Sequence, residues 1–223
     1  MLEVSSRTWQ EKRRESARQE ILAAAWEAAH EHGLGALTLR DIAARVGMRA
    51  PSLYWHFDSK MALYDAMFGQ AWASYLEVQK ELVARPSASP RRVLKTIART
   101  FFEFSVRDPV RHELMNLRSI PRFTPSPEAY APAVEVLEQL RCLLMRLGIS
   151  DETGADLFTA LLAGLIDQQL ANEPGGDRWA RLLDRTIDMY ATEMNLAQDD
   201  SDAHPGSAVS PPRRLHPEVE EMP

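Results

Sequence analysis

The sequence predicts an all-α chain, and three observations carry that expectation. Apolar residues recur at helical spacing in run after run. Alternation of the strand kind is absent. The runs open on a shared grammar of a capping side chain followed by proline: Ser89-Pro90, Asp108-Pro109 and Ser126-Pro127.

Taken in order, residues of about 12–32 are rich in Ala, Glu, Arg and Gln, which favour helix, and Gly33 stops the run. Thr38, with Asp41 three residues on, is an N-cap of the capping-box type for a helix from about Leu39 to Val46. Gly47 ends it, as a residue suited to positive φ or close backbone contact. Pro51 suits the first turn of a second short helix that reaches about His56. Asp58 is the expected cap of a long helix from about Ser59 to Ala84. The proline-led helices come next, near 90, 109–119 and 127–147. Ser150 then opens another, Asn172-Glu173-Pro174-Gly175-Gly176 breaks it, and a last helix covers about 177–196. The count is nine helices. From residue 198 Pro, Ser, Asp and Glu dominate, and 198–223 reads as a disordered tail.

With 45% hydrophobic and 26% charged residues, the 223-residue chain has the balance of a soluble globular protein. A single cysteine excludes a disulfide framework and a multi-thiolate metal site. Cys142, followed by Leu143 and Leu144, reads as a buried small hydrophobe rather than a redox sensor. No run approaches the ~18 apolar residues of a membrane span, and the N-terminus lacks the apolar core of a signal peptide, so the expected location is cytoplasmic. Catalytic and metal motifs are missing: there is no HExxH, no phosphate-cradling Gly loop and no GxSxG, and His30 and His32 point to different sides of a helix. The chain is expected to be no enzyme and to need no cofactor or metal. Residues 1–60 carry a net charge of +1 against −7 for the rest. Any DNA contact therefore rests on a few positioned cations.

Residues 38–60 carry the informative motif. A helix of about eight residues, a Gly-centred turn and a second short helix have helix-turn-helix spacing. The second helix projects Arg49, Ala50, Ser52, Tyr54, Trp55 and His56. A cation, small residues, a hydroxyl and aromatic rings suit a major groove. A plain helical hairpin with exposed aromatics has the same spacing. Phe57 is expected in the head's own core. Arg7, Lys12, Arg13 and Arg14 fit either an arm on DNA or a solvated helix start, since Glu11 and Glu15 interleave.

The stretch TLRDIAARVGMRAPSLYWHFDSKMALYDAM resembles the DNA-binding head of the TetR family of bacterial repressors. Thr38, Gly47, Leu53-Tyr54-Trp55-His56-Phe57 and Ser59-Lys60 carry the resemblance, and Pro51 with Tyr54-Trp55-His56 looks most like the branch containing the tetracycline repressors. Met48 departs from the usual Val, and Arg49 stands where a small polar residue is commoner. The resemblance implies a homodimer on a palindromic double-stranded DNA operator, with heads in successive major grooves, and a larger helical body that binds a small inducer. Residue by residue, Arg49, Ala50, Pro51, Ser52, Tyr54, Trp55 and His56 match recognition-helix positions. Thr38, Arg40 and Lys60 match phosphate-contacting positions. Lys60 also opens a helix, where backbone N–H groups favour an anion.

The implied division is a head and arm over 1–58, a ligand-binding and dimerisation body over 59–197, and the tail. The family's dimer interface lies in the last two helices. Phe158, Leu161, Leu162, Leu165, Trp179, Leu183, Ile187 and Tyr190 fit it at helical spacing, as they equally fit burial within one subunit. Candidate pocket residues are Trp72, Tyr75, Phe101, Phe104, His112, Met115, Phe123, Tyr130 and Met145, an apolar set that suggests a largely apolar inducer. The reading is a ligand-responsive repressor that touches no membrane. The alternative is an all-α carrier or interaction module whose hairpin is only structural.

Overall fold

A computed structural model describes residues 2–83, 89–151 and 153–197. Among them are nine α-helices: α1 (Leu2–His32), α2 (Leu39–Arg45), α3 (Ala50–Tyr54), α4 (Lys60–Val83), α5 (Pro90–Arg107), α6 (Pro109–Asn116), α7 (Pro127–Arg146), α8 (Gly154–Asn172) and α9 (Leu183–Glu193). Short 3-10 turns at Leu34–Ala36 and Ala180–Leu182 complete the described secondary structure. The expected end of α4 at Ala84 and the tail from 198 lie outside the described residues.

The capping grammar works as the side chains dictate. Ser89, Asp108 and Ser126 accept from the amides of Arg92, Arg111 and Ala129 at 3.3, 2.9 and 3.1 Å. Each such cap contributes about 1 kcal/mol. Thr38 Oγ1 accepts from the Asp41 amide at 3.1 Å and donates its proton to the Asp41 carboxylate, closing the box through side chains. Two starts differ from expectation. Ser59, not Asp58, caps α4, with the Ala62 amide 3.0 Å from its hydroxyl. Ser59 directly precedes the first helical residue, and Asp58 stands one position too early. α8 begins at Gly154 rather than near 150, because the Asp151 carboxylate takes the amide and hydroxyl of Thr153 at 2.7 Å each and holds a turn there.

The stop at Gly47 is conformational. Its φ is +68°, and a Cβ there would meet nothing within 4 Å, so positive φ rather than close approach is what requires glycine. The Met48 amide reaches the Ala43 carbonyl at 2.8 Å and the Gly47 amide the Ala44 carbonyl at 3.2 Å, a Schellman ending for α2.

The apolar faces gather into two clusters. The first runs from the head through α4 into α6 and α7, joining Ile21, Ile42, Leu53, Phe57, Met67, Leu114 and Val136. It is continuous across position 58/59. The second unites α5, α7, α8 and α9 through Leu94, Phe102, Leu144, Phe158, Ile166 and Ile187. α4 packs chiefly along α7. Gly69 makes this close, since a Cβ there would come 3.3 Å from the Ala129 Cα. Buried Arg91 closes the end of α9, donating to the carbonyls of Ala197, Leu196 and Asp188 at 2.8, 2.7 and 3.1 Å. Cys142, expected inside, is exposed: Leu143 and Leu144 take the inward face of α7 and leave it outside.

Candidate nucleic-acid interface and ligand cavity

The head is held by its own core, which decides what remains outside. Leu53 and Phe57 are buried, as the period of α3 requires. Thr38, Arg40, Arg49, Pro51, Ser52, Tyr54 and Trp55 are exposed, and Ala50, His56 and Lys60 are half-buried. Trp55 is 82% exposed. An indole left in water forgoes the hydrophobic gain its burial would bring.

Two of these side chains are tied into the head. The Lys60 ammonium donates to the Gly35 carbonyl at 2.9 Å and lies 5.4 Å from the Tyr64 ring centre; partial burial holds its pKa below the usual lysine range. Burial also holds the His56 pKa below its usual range, helped by the charges of Arg14 and Arg18, and its Nδ1 is buried without a hydrogen-bond partner among the described residues. Arg18 donates to the His56 carbonyl at 2.8 Å and covers the Phe57 ring at 4.3 Å. α1 thereby fixes the end of the short helix. Lys12, Arg13 and Arg14 are exposed, and Arg13 lies 4.6 Å over Trp9. The Arg7 side chain lies outside the described residues.

Between α4, α5, α6, α7 and α8 lies a cavity of about 420 Å³. Of the expected pocket residues, Trp72, Tyr75, Phe101, His112 and Tyr130 line it. Met115 and Phe123 line a neighbouring hollow of about 250 Å³ under the 117–126 connection, which shares Asn116 and Tyr130 with the first. Phe104 lines neither; it supports the wall from behind, with its ring 5.2 Å from Tyr75. Met145 is 62% exposed on the far side of α7, so its flexible apolar chain marks surface rather than cavity. Sequence reasoning missed Gln79, Asn116, Leu137 and Leu140, which carry no aromatic or methionine signal, and the small-residue side of α8 at Thr159, Ala160 and Ala163.

His112 has its side chain only 3% exposed. Asn116 donates to its Nδ1 at 3.1 Å, so Nε2 carries the proton and donates to Asp167 at 3.3 Å. Burial holds its pKa below the usual histidine value, against a smaller opposing pull from Asp167. The Tyr75 hydroxyl is pushed well up by burial. Trp72 Nε1 is buried without a hydrogen-bond partner among the described residues. Among the described residues no cluster of His, Cys, Asp and Glu is arranged to hold a metal.

The last two helices divide the expected interface residues. Phe158, Leu162, Leu183, Ile187 and Tyr190 are buried in the subunit's own second cluster and have no surface left for a partner. Leu161, Leu165 and Trp179 are half-buried. The outward strip is instead Leu157, Ala160, Gly164 and Gln168 on α8, with Leu182 at the end of the preceding 3-10 turn and Arg185 and Met189 on α9. Met189 is 65% exposed.

A helical head with an exposed helix-turn-helix thus stands on an all-helical body with a cavity between its helices. Residues 21–67 match the family model described as bacterial regulatory proteins, tetR family. The chain is 28% identical over 165 residues to the tetracycline repressor protein class A from transposon 1721 of Escherichia coli, covering 71% of this chain and 69% of that protein. It is 23% identical over 203 residues to the HTH-type transcriptional repressor BepR of Brucella suis biovar 1 (strain 1330), covering 81% and 95%. Its fold is similar to the crystal structure of a TetR variant from Acinetobacter baumannii AYE in complex with minocycline, with TM-score 0.56, 20% identity and coverage of 78% and 94%. The match to the tetR family of bacterial regulatory proteins thus lies in the helix-turn-helix head, and the longer alignments show a chain similar to transcriptional repressors.

Proposed function

We propose that the protein is a homodimeric, ligand-responsive repressor acting in the cytoplasm, with no catalytic role and no cofactor. Residues 1–58 form the DNA-reading head, 59–197 the sensing and pairing body, and 198–223 an appended tail. Arg49, Ala50, Pro51, Ser52, Tyr54, Trp55 and His56 enter a major groove, while Thr38, Arg40 and Lys60 meet phosphates on either side. The outward strip of α8 and α9 pairs two subunits, so two heads reach a palindromic operator together.

Trp55 carries this reading. A tryptophan 82% exposed beside Arg49 and Tyr54, on a helix whose other side is fully buried, has the composition of a base-reading surface rather than of a structural hairpin. The relatives' names add support, since two are called repressors. Ligand and operator communicate by population shift: a molecule in the cavity favours a separation of the heads that no longer spans two grooves. α4 joins the cavity wall at Trp72, Tyr75 and Gln79 to the head at Lys60 in one unbroken rod.

Affinity for duplexes across salt concentrations tests the reading. Tight, selective binding with a steep salt slope supports it. Equal weak binding to every duplex overturns it in favour of a carrier.

A further inference from the structure

The walls of the cavity carry an electrostatic signature that the proposed inducer site leaves unused. Five aromatic rings line it: Trp72, Tyr75, Phe101, Tyr130 and Phe158. Trp72 and Phe101 lie nearly parallel, 19° apart with centres at 6.4 Å, and Tyr75 meets Phe101 edge-on at 4.9 Å. Aromatic faces are the negative side of the ring quadrupole and attract cations.

Among the described residues no lysine or arginine lines the cavity, and the one carboxylate in its lining is Asp156. It is exposed in the subunit, with no ion-pair partner among the described residues. Behind His112 stands a second carboxylate, Asp167, 3.3 Å from Nε2. The His112 imidazole is held toward its neutral form by burial and adds no positive charge. Gln79 uses its amide N–H groups on the Val136 carbonyl at 3.0 Å and the Gln139 side chain at 3.4 Å, so its remaining polar group is an acceptor oxygen. Ring faces, the carboxylates and the amide oxygen favour positive charge, while the unpartnered Trp72 Nε1–H offers one neutral donor to an acceptor on the same ligand. An anionic ligand would lose its hydration and find no counter-charge.

We propose that this cavity takes a planar lipophilic cation, held by its aromatic walls and by Asp156, and selects against anions. The proposal rests on the reading of the cavity as the effector site and deepens it. Its size suits a compact ring system rather than a long chain. Asp156 sits in the first turn of α8, beside Thr159, Ala160 and Ala163, so the carboxylate belongs to the wall nearest the proposed pairing face.

One scaffold in three charge states tests this on the full chain: N-methylacridinium, acridine at pH 7.5, and acridine-9-carboxylate. Binding is followed by calorimetry, and the effect of each probe on operator affinity by fluorescence anisotropy. The expected order is cation, then neutral, then anion. Asp156→Asn weakens the cation about tenfold, Asp156→Glu restores most of that loss, and the neutral probe still bound by Asp156→Asn reports an intact cavity. Equal or stronger binding of the anion, or equal loss for all three probes in Asp156→Asn, overturns the cation preference and leaves the effector reading standing. Cation-selective binding with no effect on operator affinity overturns the effector reading and leaves the cation site standing. Failure of all three probes to bind overturns both.

Discussion

His30 on α1 holds Asp108 at the start of α6, with Nε2 2.9 Å from Oδ1. The same carboxylate caps α6 through the Arg111 amide and pairs with the Arg111 guanidinium at 3.2 Å, and that guanidinium lies 5.0 Å from the Trp26 ring centre. One of the contacts between head and body is therefore made by a residue that is also a helix cap, and the next turn of α6 carries His112 to the cavity.

The cap and the junction are separable. Asp108→Ala should lower stability by about 1–2 kcal/mol, since the Arg111 amide loses its acceptor. Asp108→Asn keeps a capping oxygen and should cost less, while still losing the charge that faces Arg111 and His30. Urea unfolding of both variants beside His30→Ala checks the order. Equal losses for the two Asp108 variants would show that charge, not capping, dominates.

On the DNA face, stability and binding should part company. Trp55→Ala and Arg49→Ala remove exposed groups and should leave stability within about 0.5 kcal/mol. Arg49→Ala should cost about 1–3 kcal/mol on the preferred operator and little on unrelated duplexes. Lys60→Ala should behave differently. It should weaken every duplex similarly, flatten the salt slope by about one unit, and also lower the melting temperature, because its ammonium holds the Gly35 carbonyl. Anisotropy titrations at several salt concentrations, paired with thermal unfolding, distinguish these patterns.

The faces of α8 and α9 make opposite predictions for one kind of substitution. Met189→Asp, on the outward strip, should give a folded monomer in sedimentation. Ile187→Asp, fully buried, should abolish folding, because an unpaired charge enters the core. A Met189→Asp protein that remains dimeric would place the pairing surface elsewhere.

Acid should destabilise the protein through His112. Its folded pKa lies below the ordinary 6.5 because burial disfavours the charged ring. The unfolded chain therefore binds the proton first, and stability present above pH 6.5 is lost as pH falls toward the folded value. His56 shifts in the same direction and adds to the trend. His112→Gln should flatten, without abolishing, the decline of melting temperature between pH 7.5 and 5.5. An unchanged slope would remove His112 from the cause.

Much of this was legible in the sequence, because caps, glycine stops and the Leu53–Phe57 pattern are local. Thr38, Gly47 and the three proline-led starts act through neighbours three to five residues away, so spacing alone carries them. The start of α8 was misplaced although its signal is also local: Asp151, not Ser150, takes the amide and hydroxyl of Thr153 two residues on, and the helix starts after that turn. The cavity was half legible. Aromatic residues announced Trp72, Tyr75 and Phe101, whereas Gln79, Asn116 and Ala163 line it through where α4, α6 and α8 cross. Periodicity also identified the apolar faces of α8 and α9. It did not say which stripe the subunit keeps for its own core, a choice made by the packing of α5 against α9.

Selection of binding sites from a random duplex library by the full chain tests the central claim most directly. The expected product is an inverted repeat with half-site centres one helical turn apart, about 34–36 Å, whose consensus relaxes at one position in Arg49→Ala. A library that emerges unenriched, or a single half-site with no symmetric mate, would contradict a paired molecule reading DNA through the exposed face of α3.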